Sequence, residues 1–274
     1  MRLLRMAAVL IFIAALALNI LATVRHKAEQ DTVPPVIHCP EGALELSVQD
    51  GLEGLTKGLT ATDDRDGDIT DRILLASTSY FSEPGTTNVS YVVFDSGHNS
   101  HQISRNVVFT DYESPRFSLS QPLVFYRGQN IRFLNYIFAK DCLDGDITGK
   151  IKVVASNVSN YTTGIYPILL EVTNSFGDRV EIELMVVVQA ETHAAPEIAL
   201  KEYITYVKTG ESFDPYSLIA SVRAFGTGET ISKDAVSVLG SVDTETPGFY
   251  HLIFTCQDNG AEGSAYLTVV VTEG

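Results

Sequence analysis

The sequence predicts an all-β protein, three sandwich domains in tandem behind one apolar N-terminal helix. An internal period is the first reason. Residues 61–73, ATDDRDGDITDRI, return 78 residues later as AKDCLDGDITGKI at 139–151 and, much eroded, as ASVRAFGTGETISKDAV from Ala220. Pro35, Pro115 and Pro196 open units at nearly the same step; Gly85, Gly164 and Gly248 precede apolar runs, and Gly97, Gly177 and Gly260 close them. A period of this kind marks repeated structural units. The second reason is apolar alternation. Tyr250, Leu252, Phe254 and Cys256 fall on one face of a strand. Counted from the preceding Gly, so do Tyr166, Ile168, Leu170 and Val172, and Thr87, Val89, Tyr91 and Val93. Period two is the signature of a half-buried strand.

The 274 residues suit three units of about 80, each just large enough to bury its own core. The chain carries 34 Asp and Glu against 19 Lys and Arg, a net charge of -15. All the acids lie at or beyond Glu29 and four basic residues precede position 28, so residues 28–274 hold 15 basic against 34 acidic groups, or -19. Such a body repels nucleic acid and anionic lipid and favours divalent cations. Cys39, Cys142 and Cys256 fall one to each repeat, so no repeat closes a disulfide within itself. Three buried structural thiols are expected, with a bridge between repeats as the other reading.

Taken in order, residues 1–5 read as a cytoplasmic tail and 6–24, MAAVLIFIAALALNILATV, as a transmembrane signal-anchor. Nineteen residues would rise about 28 Å, matching a hydrocarbon core of about 30 Å. A cleaved signal peptide is the alternative, although Ile20 stands where a small residue is wanted before the only exit, Ala22. The expected location is the cell membrane, single-pass, with the membrane contacted through residues 6–24 and the C-terminal domains outside. Residues 25–32 form a linker, and domains follow at 33–111, 112–190 and 191–274.

Within each unit an early strand (44–48, 123–126, 203–207) is followed by Gly51, Gly128 or Gly210. SFDPYSLIA, from Ser212, fits one helical turn. Pro167 removes a ladder donor from an apolar strand, which places it at an edge or a bulge. FDSGHNS, TNSFGDR and QDNGAEG carry the Gly, Asn and Asp of tight reversals. Closing strands (105–110, 182–188, 266–272) are rich in β-branched residues. Several short strands per unit, with turns every eight to twelve residues, make the pattern that of an immunoglobulin-like sandwich.

The series Pro-x-Ile, Gly, AxDxxDGDIT, PG-x-Y, D-x-x-GN and a Val-rich final strand resembles the bacterial Ig-like domains of surface proteins and of some pesticidal crystal toxins. The likeness is strong in the first copy (Glu83-Pro84-Gly85, FDSGHN) and good in the second (Thr163-Gly164-Ile165-Tyr166). In the third it rests on Thr246-Pro247-Gly248-Phe249-Tyr250 and GESFDP, because DGDIT is gone. The resemblance implies an extracellular sandwich used as spacer, adhesive or binding module, and not a catalyst.

The sharpest candidate site is the first acidic turn. Asp63, Asp64, Asp66 and Asp68 set four hard oxygen ligands within six residues, which suits calcium. It is not an EF-hand, since counting from Asp64 the twelfth position is Leu75. The second copy keeps Asp141, Asp144 and Asp146 but has Cys142 in place of Asp64. The alternative is structural: the carboxylates cap turn amides while Ile69 and Ile147 plug the core. If such an ion also recruited an acid from a neighbouring junction, such as Asp111 or Glu113, the joint would stiffen. His98 and His101 read as surface residues without a third ligand, and the glycosylation-type triplets at Asn88, Asn157 and Asn160 as chance. No catalytic triad, phosphate loop or basic aromatic patch presents itself.

The function expected is therefore a membrane-anchored extracytoplasmic Ig-like surface protein, a spacer or adhesion/binding module, not an enzyme and without an obligate cofactor. Its partner would be a surface protein or glycan. A polysaccharide- or peptidoglycan-binding accessory is the alternative, and it would need Tyr112, Tyr126, Tyr136, Tyr161 and Tyr203 to cluster into an exposed platform.

Overall fold

A computed structural model describes residues 2–29, 31–190 and 195–273 and, inside the first helix, the side chains of Met6 and of residues 10–25. The N-terminal segment forms α1 (Arg2–Glu29). Among the described residues no helix is long and apolar enough to cross a membrane. The single-pass anchor at 6–24 and the cell-membrane location are corrected accordingly.

Among the described residues twenty strands follow, in six sheets that pair along the chain. The first pair contains β1 (Val36–His38), β2 (Leu44–Leu46), β3 (Thr60–Asp63), β4 (Gly67–Asp68), β5 (Leu74–Thr78), β6 (Thr86–Phe94) and β7 (Ser100–Phe109). One sheet runs β1-β3-β4 and the other β2-β7-β6-β5. The second pair contains β8 (Arg116–Leu119), β9 (Val124–Tyr126), β10 (Ile137–Asp141), β11 (Gly145–Asp146), β12 (Lys152–Ser156), β13 (Gly164–Thr173) and β14 (Arg179–Gln189). Its sheets run β8-β10-β11 and β9-β14-β13-β12, the same order shifted by one repeat. The third contains β15 (Glu197–Leu200), β16 (Ile204–Lys208), β17 (Ile219–Arg223), β18 (Val236–Leu239), β19 (Gly248–Asp258) and β20 (Ala261–Thr272). Its sheets are β15-β17 and β16-β20-β19-β18. The smaller sheet drops from three strands to two here because DGDIT, which supplies β4 and β11, is missing. The chain is thus all-β, built as Ig-like sandwiches.

The alternation expected on the long strands holds in the register. Thr87, Val89, Tyr91 and Val93 are at most 1 % exposed, as are Ile168, Leu170 and Val172 and likewise Phe254 and Cys256. Pro167 lies one residue beyond the last pair that β13 makes with β12, so its missing donor breaks no rung there. Pro215–Leu218 forms the helical turn, of 3-10 type, capped by Asp214. The thiols depart from expectation: Cys256 is buried, but Cys39 and Cys142 are exposed. Cys142 occupies the outer turn position that Asp64 holds in the first copy.

The described chain divides into two compact units, Met1–Thr110 and Asp111–Gly274. In the first, a charge sits in the core. Arg105 is 7 % exposed and faces inward between the sheets with Val107 and Phe109. It donates to the Leu55 carbonyl and to the Tyr91 hydroxyl at 3.3 Å, and lies 5.3 Å from the Tyr91 ring. A buried guanidinium without such acceptors would be strongly destabilising.

In the second unit two sandwiches share a built joint. The core of the second sheet pair extends to Ile204 and Val270 of the third. The Phe117 amide donates to the Tyr206 hydroxyl at 2.7 Å, and Arg116 stacks 5.0 Å from the Tyr206 ring. Burial pushes the Tyr206 phenol up to about 12. His251 Nε2 meets Glu183 at 3.4 Å. Leu123, Ile165, Met185, Tyr203 and Leu239 line an apolar cavity of about 200 Å³ beside these contacts. The residues at which the third domain was expected to begin, 191–194, lie outside the described ones.

Candidate functional site

The two acidic turns are built alike, atom for atom. Asp63 Oδ1 accepts from the amides of Arg65 (2.9 Å) and Asp66 (2.8 Å), and Asp141 Oδ1 accepts from those of Leu143 (2.9 Å) and Asp144 (2.8 Å). Gly67 and Gly145 follow at φ 74° and 73°, a left-handed conformation that other residues enter only with strain. Asp68 and Asp146 cap Thr70 and Thr148, and these hydrogen bonds hold both carboxyls below the usual range. Ile69 and Ile147 then enter the core at 0 % and 3 % exposure. Thr70 and Thr148 close the turn by accepting the amides of Ala61 and Ala139.

A second carboxylate ties each turn to the next hairpin. Asp66 accepts from the Ser96 amide and hydroxyl, both at 2.7 Å, and from Arg72. These bonds lower its pKa. Asp144 does the same with Ser175 and Lys150. Burial pulls Asp144 upward, but those donors outweigh it and leave the group below the ordinary carboxylate range.

The four residues predicted to share calcium therefore do not converge. Asp66 and Asp68 are taken up by amides and hydroxyls of their own turn and hairpin, and Asp64 faces solvent. Asp63 alone is drawn into another group. Among the described residues, one trio of carboxylates could share a metal ion: Asp31, Asp63 and Asp95, with an oxygen from each lying within 4.8 Å of the others. Asp31 comes from the linker before β1, Asp63 from the end of β3, and Asp95 from the turn between β6 and β7. Asp31 and Asp95 are 8 % and 5 % exposed. Asp63 is half-buried as a residue, yet its Oδ2 is shut off from solvent.

The hydrogen bonds in this trio are unevenly shared. Asp95 accepts from the Asn99 amide (2.8 Å) and side chain (2.8 Å), and Asp31 Oδ1 accepts from the Val33 amide (3.1 Å). Among the described residues, Asp31 Oδ2 and Asp63 Oδ2 are buried with no hydrogen-bond donor. The Arg65 Nε stands 3.6 Å from Asp31 Oδ2.

The second sandwich shows the same framework with different chemistry. The Asp95 turn and the Asn174 turn share their closing bond, with Asn99 and Asp178 donating their amides to the Oδ1 of each. At Asn174, however, the Nδ2 donates to Asp141 Oδ2 at 3.1 Å and to the Tyr112 hydroxyl at 2.8 Å. Tyr112 in turn donates to Asp178 at 2.7 Å; burial and that carboxylate push its pKa far up. The oxygen orphaned at Asp63 is thus satisfied at Asp141. In the third sandwich Val222, fully buried, holds the equivalent place.

The tyrosines separate rather than cluster. Tyr112 belongs to the network just described, Tyr136 packs 6.1 Å from the Phe125 ring, and Tyr203 lines the apolar cavity. Tyr161 is 81 % exposed. His101 accepts the Ile37 amide at 3.0 Å, a structural role, and His98 occupies a positive-φ turn position.

No known family model matches the chain. It is 29% identical over 221 residues to the pesticidal crystal protein Cry22Aa of Bacillus thuringiensis, a match covering 78% of this chain. The chain spans 29% of that relative's length. Among solved structures it is similar to Drosophila N-cadherin EC1-3 (TM-score 0.31, 13% identity, 86% of this chain and 99% of that one). It is also similar to CBM51-2 in complex with GlcNAc and INT domains from Clostridium perfringens ZmpB (TM-score 0.24, 15% identity, 87% of this chain and 42% of that one).

Proposed function

We propose that the chain is a non-catalytic spacer and adhesion or binding module of the bacterial Ig-like kind, with domains at 33–111, 112–190 and 191–274 in series. The joint inside the second unit carries this reading. A flexible string of domains has no use for a buried amide–phenol hydrogen bond, a stacked guanidinium and a shared apolar core between neighbours. Those contacts fix one sandwich on the next, which is what a spacer of set length requires. The scatter of Tyr112, Tyr136 and Tyr203 among structural roles favours this over a glycan-binding accessory, whose stacking platform needs aromatics on one open face.

The test is a distance distribution. Spin labels at Tyr161→Cys and Thr227→Cys, in a Cys39→Ser, Cys142→Ser background, report on the joint by pulsed dipolar spectroscopy. A single narrow peak is expected. A broad distribution in the intact chain would remove the basis for a fixed spacer.

A further inference from the structure

We propose that Asp31, Asp63 and Asp95 form a calcium site at one pole of the first sandwich. The inference is independent of the spacer reading. Calcium binds oxygens at about 2.3–2.6 Å, so oxygens sharing one ion lie no more than about 5 Å apart. The trio meets that limit, with its oxygens all within 4.8 Å of one another.

Closeness alone would say little, since acidic groups often crowd. The orphaned oxygens say more. Asp31 is more than nine-tenths buried, and among the described residues neither its Oδ2, which has only the Arg65 guanidinium at 3.6 Å, nor the solvent-inaccessible Oδ2 of Asp63 has a hydrogen-bond donor. Buried polar atoms are almost always satisfied. Three carboxylates beside one guanidinium leave two negative charges, which a divalent cation balances.

The second sandwich supplies the control. Its scaffold is the same, but Asn174 stands where the first has Asp95, and its Nδ2 fills the acceptor that Asp63 leaves open. Replacing an amide nitrogen by a carboxylate oxygen removes the internal donor and adds a charge. That exchange makes sense if an external cation takes the donor's place. A ligand arriving from the linker also means that the ion fastens residue 31 to the sandwich.

Calcium alone is titrated into the full-length chain by calorimetry, and melting is followed in calcium and in chelator. The expected affinity lies in the extracellular-module range, roughly 0.1–1 mM. Saturating calcium should raise the first transition by several degrees, about 5 °C. Asp95→Asn should reproduce the arrangement of the second sandwich. It is expected to weaken calcium at least about tenfold and to raise the melting temperature in chelator, a combination that simple damage does not give. Asp31→Asn is the second variant, should Asp95→Asn fold poorly, and it too should lose the calcium response. Asp64→Asn should keep it. The proposal is overturned if wild-type melting ignores calcium, if Asp95→Asn and Asp31→Asn respond like wild type, or if Asp64→Asn alone abolishes the response.

Discussion

Removing one oxygen from the joint of the second unit should be felt by the whole unit. Phe117 is 2 % exposed, and its amide, facing away from β10, has the Tyr206 hydroxyl as its acceptor at 2.7 Å. Tyr206→Phe keeps the ring, its packing and its stacking with Arg116, so the change isolates the hydroxyl. A buried amide left without an acceptor costs about 1–3 kcal/mol. Taking about 2 kcal/mol, and about 2–4 °C per kcal/mol for a unit of this size, the melting temperature should fall by roughly 4–8 °C. The Tyr250 hydroxyl donates to the exposed Thr246 carbonyl at 2.8 Å, where water can substitute. Tyr250→Phe is therefore the control, with an expected loss of less than about 1 kcal/mol. Both are read by calorimetry and by chemical denaturation of the intact chain. If Tyr206→Phe matches wild type within about 0.3 kcal/mol, water reaches the Phe117 amide and the joint is looser than argued.

A methyl group at Gly263 would lie 1.8 Å from the Pro196 carbonyl oxygen, so Gly263→Ala should force β20 away from the start of β15 and lower the melting temperature sharply; a neutral result would mean that the backbone separates freely there. Burial pulls His251 below 6.5 despite Glu183. The unfolded chain then takes the proton first, so stability is full above about pH 6.5 and declines as the pH falls toward the folded value. Melts across that window should show a component missing in His251→Gln, and superimposable profiles would refute it. A thiol reagent should modify Cys39 and Cys142 in the native protein and spare Cys256 until unfolding; prompt reaction of all three would place β19 one residue out of register.

Much of this architecture could be read from spacing alone. Period-two alternation placed Tyr91, Ile168 and Phe254 inward because a pleated strand leaves no other choice. DGDIT announced a turn because Asp, Gly and Thr each satisfy a specific backbone need there. Charge was harder to read than apolar spacing. Arg105 occupies an inward position by the same alternation, and only the acceptors at Leu55 and Tyr91, distant in sequence, explain how it is tolerated. The carboxylates crowded in the first turn looked like one site, but backbone amides next to them compete for their oxygens. Asp31 and Asp95 stand 32 residues to either side of Asp63, so no local window unites them. A signal did exist: Asp31 to Pro35 recurs as Asp111 to Pro115, and Asp95 lies within the repeated FDSGHN turn. Cys142, aligned with Asp64, could have been placed at the surface on the same ground.

The parallel pairing of β2 with β7, of β9 with β14 and of β16 with β20 has a mechanical consequence. In each case an early strand lies beside the closing one and runs the same way, so tension applied through the chain slides one along the other. Their hydrogen bonds are then strained together in shear and must rupture collectively, whereas an antiparallel hairpin pulled at its ends opens one bond at a time. Three register pairs resist in each of the first two sandwiches and five in the third, Ile204–Lys208 against residues 268–272. Under a steady pull the third sandwich should be the last to give way, and force spectroscopy on the intact chain would order the rupture events accordingly.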